Sequence, residues 1–198
     1  MRIGFDVDGV LADFNRRFIE LIIKVTGEDR FPARPFDIPT WHYPQHYGYS
    51  AEVMDFEHGP VWGTVRASGS FWAELPMYPW TRDVLDELAR RRHNDGDDIY
   101  FITDRPGRRA KRQTEDWLHD LGYEEATVLI SGAKDLCAQA LKLDAYIDDR
   151  FENASKVGAA SPATRSFLLT RPWNAHYIPA YSTRIETPAK MFELLDEP

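Results

Sequence analysis

The sequence predicts a three-layer α/β fold with a mainly parallel sheet, its first strand central, and a small helical cap inserted after that strand. Three observations predict it. Short apolar runs alternate with helix-like stretches, the pattern of βαβ units. Acidic, hydroxyl and basic residues recur where those runs end, at the carboxyl edge where open α/β sheets place their sites. One segment, 15–76, holds no clear buried strand and is too long for a structureless loop. The expected division is therefore a core of 1–14 and 77–198 and a helical cap of 15–76.

The elements follow in order. Arg2–Asp6 reads as the first strand, Asp98–Thr103 as the second, Thr127–Ile130 as the third, Ala145–Ile147 as the fourth and Ser166–Leu169 as the fifth. Between them Thr81–Arg92, Arg109–Leu121, Lys134–Leu141 and Phe151–Val157 carry helical spacing. Thr187–Leu195 reads as a terminal helix, with Pro188 suited to its first turn. Within the cap, Phe18–Val25 and Glu52–Val65 look helical, and Phe31–Tyr49 is rich in Pro, Tyr, Trp and His. There is no internal repeat and no low-complexity tract.

The 198 residues suffice for one core domain plus a small insert. No run approaches the roughly 18 apolar residues that span a bilayer, and the first residues, Met1-Arg2-Ile3-Gly4-Phe5-Asp6, do not form a signal peptide. A single cysteine, Cys137, excludes an internal disulfide and fits a reducing cytoplasm. The formal net charge of −8 makes the chain a poor general binder of nucleic-acid backbone, so a phosphate-bearing ligand must be captured locally.

Asp6-Val7-Asp8-Gly9 is the strongest motif. It closes a strand, residues two apart share a face, and Gly9 permits a sharp turn. Two carboxylates with different tasks suit phosphoryl transfer through an aspartyl phosphate: one attacks phosphorus, the other moves the proton. A turn or capping pair is the plainer alternative. An EF-hand loop fails, because Val10 and Arg17 stand where it needs ligands, and no Walker-type phosphate loop is present. Thr103, at the end of the second strand and followed by free backbone N–H groups, can bind a phosphate oxygen; a strand-end Thr that caps a helix is equally consistent. Lys134 opens a helix and can neutralise nucleophile and phosphate together, or remain a solvated surface lysine. Asp148 and Asp149 close the fourth strand, and adjacent acids there repel unless a cation shares them. Asp148 is the expected Mg²⁺ ligand, and Asp149 a group behind it or a helix cap. Asp13 is expected to cap the helix that starts at Phe14.

The order of these motifs, Asp6/Asp8, Thr103, Lys134 and Asp148/Asp149, resembles the haloacid dehalogenase superfamily of phosphohydrolases, whose core is Rossmann-like. The stretches Asp-Val-Asp-Gly-Val-Leu-Ala-Asp-Phe (6–14), Ser-Phe-Trp-Ala-Glu-Leu-Pro (70–76), Ile-Thr-Asp-Arg-Pro (102–106), Ile-Asp-Asp-Arg (147–150) and Arg-Pro-Trp-Asn (171–174) are similar to the 5′(3′)-deoxyribonucleotidase group. The resemblance covers residues 1 to about 175. It implies Asp6 as nucleophile, Asp8 as general acid/base, and Mg²⁺ held by Asp6, the Asp8 backbone carbonyl and Asp148. Some members carry a small residue where this chain has Asp104, so only the backbone N–H of Asp104 is expected to meet phosphate.

The resemblance implies dephosphorylation of deoxynucleoside monophosphates. Phe71 and Trp72 fall in a segment that lies beside the substrate in that group, and with Arg105 they form the expected substrate pocket. The cap aromatics, among them Trp41, Tyr43, Tyr47, Tyr49 and Trp62, can stack on a base or serve as the core of a small cap. The basic run Arg105–Arg112 is a solvated face or a landing strip for a polyanion. Its similarity to the phosphatase half of polynucleotide kinase–phosphatases makes a nucleic-acid 3′-end the alternative substrate. A non-catalytic nucleotide-binding protein on the same scaffold, and a phosphomutase, are the remaining alternatives.

Overall fold

The structure, a computed structural model, describes residues 1–33 and 37–197. Residues 34–36, within the aromatic stretch expected in the cap, lie outside the described residues, as does Pro198.

Six parallel strands form one sheet in the order β3-β2-β1-β4-β5-β6. They are β1 (Arg2–Phe5), β2 (Asp98–Thr103), β3 (Thr127–Ile130), β4 (Ala145–Asp148), β5 (Arg165–Leu169) and β6 (Thr183–Ile185). β1 is central, paired with β2 on one side and β4 on the other. After β3 the chain crosses to the far side of β1, which creates a switch point between β1 and β4 at the carboxyl edge.

The two-residue side-chain period of the strands builds the layers. Phe5, Phe101, Ile147 and Phe167 face α5 (Thr81–Arg90), α6 (Ala110–Asp120) and α9 (Pro188–Asp196) in the larger core, with Leu88, Leu118 and Phe192 among their partners. Ile102 and Tyr146, one residue out of phase, face α7 (Lys134–Leu141) and α8 (Phe151–Ala160) through Ala138 and Val157. The strands are buried on both faces and read as continuous apolar runs for that reason.

Between β1 and α5 lie α1 (Phe14–Thr26), α2 (Tyr43–His46), α3 (Ala51–Met54) and α4 (Pro60–Ala67). Asp13 caps α1, its carboxylate accepting from the Arg16 N–H at 3.2 Å, as expected from sequence. Phe14, Phe18, Ile19 and Ile22 recur at helical spacing on the buried side of α1. The stretches that leave and re-enter the sheet pair with each other: Asp13 N–H donates to the Pro76 carbonyl at 2.7 Å and Tyr78 N–H to that of Leu11 at 3.0 Å.

Three elements differ from the sequence reading. The single helix expected over Glu52–Val65 is two, α3 and α4: the chain leaves the helix at Asp55, whose carboxylate accepts from the Glu57 and His58 N–H groups, and Pro60, suited to a first turn, opens the next. α5 stops at Arg90 and passes into a wide turn over Arg91–Asp95, closed by left-handed Gly96. The strand β6 was not expected, since three residues at a sheet edge carry no periodicity to read.

Candidate active site

β1, β2 and β4 end side by side, and each delivers one acidic or hydroxyl residue to the same point. Asp6 follows β1, Thr103 ends β2 and Asp148 ends β4. Lys134, the first residue of α7, reaches between them. Its Nζ lies 2.7 Å from Asp6 Oδ2 and 2.9 Å from Asp148 Oδ2, and its side chain is 4 % exposed. Burial works against the charge on Lys134, but the Asp148 and Asp6 carboxylates outweigh it and hold its pKa above the ordinary lysine value. Burial raises Asp6 well above the ordinary carboxylate range, and Asp148, Asp149 and Asp8 add to that rise while Lys134 opposes it.

Asp148 is saturated with donors. Oδ2 accepts from Lys134, the Tyr146 hydroxyl and, at 3.2 Å, Asn153 Nδ2; Oδ1 accepts from the Arg150 N–H at 2.8 Å. Asp149 is not. Its Oδ2 accepts from Trp173 Nε1 at 2.9 Å, and its Oδ1 is buried with no hydrogen-bond partner. Burial, then the Asp148 charge, push Asp149 up to about 7, against the pull of Arg171, Lys134 and the Trp173 N–H. One oxygen from each of Asp6, Asp148 and Asp149 falls within 4.8 Å of the others, an arrangement that can hold a metal ion.

Gly9 makes the turn after Asp8 with φ of +79°, and an added Cβ would sit 2.2 Å from Asp149 Oδ2. Both the backbone and the close approach of the acid therefore require glycine. The Gly9 carbonyl accepts from Arg171 Nε at 2.8 Å, and the Arg171 guanidinium rests 3.9 Å from the Tyr78 ring centre. Asn174 Nδ2 donates to the carbonyls of Asp149 and Leu169, tying the ends of β4 and β5 together.

Asp8 points towards β2. Thr103 Oγ1 donates to its Oδ2 at 3.3 Å, and Arg105 grips both oxygens, Nε at 2.9 Å and Nη2 at 2.8 Å. The Asp104 side chain turns towards Gly132, where an added Cβ would lie 2.8 Å from Asp104 Oδ2.

A cleft of about 520 Å³ opens over Asp6, Asp8, Thr103, Asp104 and Lys134. Phe14, Trp41, Phe56, Trp62 and Trp72 form its aromatic wall, and Arg150, Asn153 and Lys156 of the α8 region its polar one. Of the expected substrate pocket, Trp72 reaches this wall, whereas Phe71 and Arg105 lie behind it. Trp72 itself is 2 % exposed, with Phe14 stacked at 5.8 Å and the Arg105 guanidinium 4.9 Å from its ring centre. No wide face of Trp72 is left for a ligand. In the basic run, Lys111 pairs with Glu115 and Arg112 with Asp116, one helical turn on, and Arg105 turns inward to Asp8, so three of the five cations of the suspected landing strip are paired.

Sequence reasoning passed over Tyr146 and Asn153. The signal for Tyr146 was present: it lies two residues before Asp148 on one strand and so shares its face. Asn153 needed the α8 turn to be built before its reach was visible.

No curated protein matches the chain. Among solved structures, a haloacid dehalogenase-like hydrolase from Streptococcus pneumoniae is similar at 13 % identity and TM-score 0.61, over 98 % of both chains. The HAD-hydrolase YfnB from Bacillus subtilis, bound to magnesium, is similar at 14 % identity and TM-score 0.63, over 99 % of this chain and 98 % of that one. CbbY from Rhodobacter sphaeroides, in complex with phosphate, is similar at 17 % identity and TM-score 0.59, over 96 % and 95 %. These likenesses establish the fold. The family model described as 5′ nucleotidase, deoxy (Pyrimidine), cytosolic type C protein matches residues 1–194. The chain belongs to that family, a phosphohydrolase family with haloacid dehalogenase-like architecture that acts on small phosphate esters.

Proposed function

We propose that this protein hydrolyses deoxynucleoside monophosphates with Mg²⁺, through a phosphoryl group carried transiently on Asp6. The observation that carries the reading is the placement of Asp6: its carboxylate directly follows the central strand, is held by buried Lys134, and opens into a cleft with an aromatic wall.

Asp6 Oδ attacks phosphorus as the bond to the leaving oxygen breaks, and Asp8 gives that oxygen a proton. Water then attacks the aspartyl phosphate, Asp8 takes its proton, and the Asp6–phosphorus bond breaks to release phosphate. Thr103 Oγ1, the Asp104 backbone N–H and Lys134 Nζ hold the phosphoryl oxygens. The donor set fits Mg²⁺, a hard cation that prefers one or two carboxylates and water. Asp6, the Asp8 carbonyl and Asp149 would hold it, because Asp149 keeps a buried oxygen without a partner while both oxygens of Asp148 already accept hydrogen bonds. The roles expected for the two adjacent acids are thereby exchanged, with Asp148 anchoring Lys134. When bound, the ion supplies positive charge that offsets repulsion between phosphate and the acids.

The insert, 15–76, serves as the cap over this cleft. Phe14, Trp41, Phe56 and Trp62 offer aromatic surface for a nucleobase. A polynucleotide end is disfavoured by the paired Lys111 and Arg112. Among the described residues no helix is long and apolar enough to cross a membrane, and the family description supports a cytoplasmic location. The test is phosphate release, with Mg²⁺, from 5′- and 3′-deoxynucleotides, ribonucleotides, sugar phosphates and a 3′-phosphorylated oligonucleotide. The highest kcat/KM is expected for a deoxynucleoside monophosphate. A higher value for the oligonucleotide or a sugar phosphate rejects the assignment.

A further inference from the structure

Arg105 is anchored on every side. Its two donors on Asp8 form a fork, Nη1 donates to Thr114 Oγ1 at 2.8 Å, the Trp72 ring covers the guanidinium, and none of its side chain is exposed. Thr114 is fixed in turn by donating to the Ala110 carbonyl at 2.7 Å. Trp72 is fixed by its backbone N–H to Gln113 Oε1 at 2.8 Å and by Nε1 to the Pro106 carbonyl at 3.1 Å. Burying a guanidinium this completely is costly unless its partners are well placed. Among the described residues the only carboxylate it meets is Asp8, whose other side-chain partner is a single Thr103 hydroxyl.

We propose that Arg105 is a positioning residue that aims Asp8 at the leaving oxygen. The inference rests on the reading of Asp8 as the group that moves the proton. Asp8 shares its surroundings with the carboxylate of Asp6, and the two repel. A planar fork locked to α6 sets both the distance and the plane of the carboxylate, which a lysine point charge cannot do. Because the fork is pressed between Asp8 and Trp72, the chain segment that returns from the insert sets the position of the proton donor.

The consequence depends on the leaving group. Expelling the alkoxide of a sugar or alkyl phosphate requires a proton from Asp8. Expelling p-nitrophenolate from p-nitrophenyl phosphate requires almost none. A carboxylate displaced by about 1 Å can cost on the order of 100-fold in a step that depends on it.

The test compares kcat and KM for p-nitrophenyl phosphate with those for the alkyl phosphate the enzyme turns over fastest, in Arg105→Met, Arg105→Lys, Thr114→Val and Asp8→Asn, with thermal unfolding followed for each. In Arg105→Met, kcat/KM, which reports the first step alone, should fall about 100-fold for the alkyl ester and less than about fivefold for the aryl ester, while kcat, which includes the water step that Asp8 also serves, falls for both. Arg105→Lys should lie between that variant and wild type. Thr114→Val frees only one anchor of the guanidinium and should show the same selective loss on a smaller scale. Guanidinium ion added to Arg105→Ala should restore alkyl turnover more than aryl. Should Asp8→Asn show the alkyl-selective loss of kcat/KM while the folded Arg105 and Thr114 variants lose kcat/KM equally on both esters, Arg105 is only structural and the inference falls. Should Asp8→Asn lower kcat/KM for both esters alike, the proton-donor reading of Asp8 falls first.

Discussion

At the carboxyl ends of β1, β2 and β4, side chains are positioned by charge and directed hydrogen bonds: Lys134 between two carboxylates, Arg105 on a third, Trp173 on a fourth. In the insert and at Phe14, which leads into it, rings meet rings: Phe14 stacks on Phe18 at 4.8 Å, Trp62 lies 4.7 Å from Phe18, and Phe31 lies 5.1 Å from Tyr49. The first region tolerates few substitutions because each buried charge depends on a specific partner. The second is held by area and shape, which several large side chains can supply. Catalysis is therefore expected to concentrate in the first region and substrate choice in the second.

The largest effect should come from Asp6→Asn. It keeps the shape and removes the attacking charge, so turnover should drop by about 10³-fold or more. Burial already disfavours the charged form of Asp6, so thermal stability should hold or rise. Phosphate-release rates near wild type in this variant would remove the aspartyl phosphate from the mechanism.

Asp148 and Asp149 should separate. Asp148→Ala strands Lys134, Tyr146 and Asn153 around a missing acceptor and should destabilise the fold by about 3–5 kcal/mol. Asp149→Ala leaves only the Trp173 N–H without its acceptor and should instead raise the Mg²⁺ needed for half-maximal activity by about 10–100-fold. Metal titration and thermal unfolding on both variants check this, and the reverse pattern would return the ligand role to Asp148.

In the insert, Trp62→Ala or Trp41→Ala should raise KM for nucleotides roughly tenfold while sparing p-nitrophenyl phosphate. Phe71→Ala, behind the cleft wall, should lower the unfolding temperature and reduce activity on both substrates alike. Equal KM changes on both substrates in the Trp variants would show that those rings are only packing.

The smallest effect is a slope with pH. Asp149 sits at about 7 when folded against an ordinary 3.8, so the folded metal-free chain keeps a proton that the unfolded chain releases. Stability without metal should decline as pH rises from about 4 to about 7, and stabilisation by Mg²⁺ should grow over the same window. Thermal unfolding at pH 5 and pH 8, with Mg²⁺ and with chelator, measures it. A larger Mg²⁺ shift at pH 5 contradicts the assignment.

The sheet was legible in the sequence because strands buried on both faces are unbroken apolar runs, and the motifs were legible because each follows such a run. Asp13, a local cap, was legible too. Pro60 was in plain view, yet the apolar spacing across it read as one helix.

By itself the sequence determined the fold class, the central strand and the identity of Asp6, Asp8, Thr103, Lys134 and the Asp148–Asp149 pair as the polar residues at its edge. Those depend on patterns within a few residues of one another. Only the tertiary structure decided which adjacent acid keeps a free oxygen, that Arg105 turns inward to Asp8, and that Phe71 lies behind the wall that Trp41 and Trp62 help to form. Each of those outcomes depends on partners far apart in the chain, Trp173 for Asp149 and Asp8 for Arg105. Spacing along a chain records which face a residue occupies; it does not record which distant donor reaches that face first.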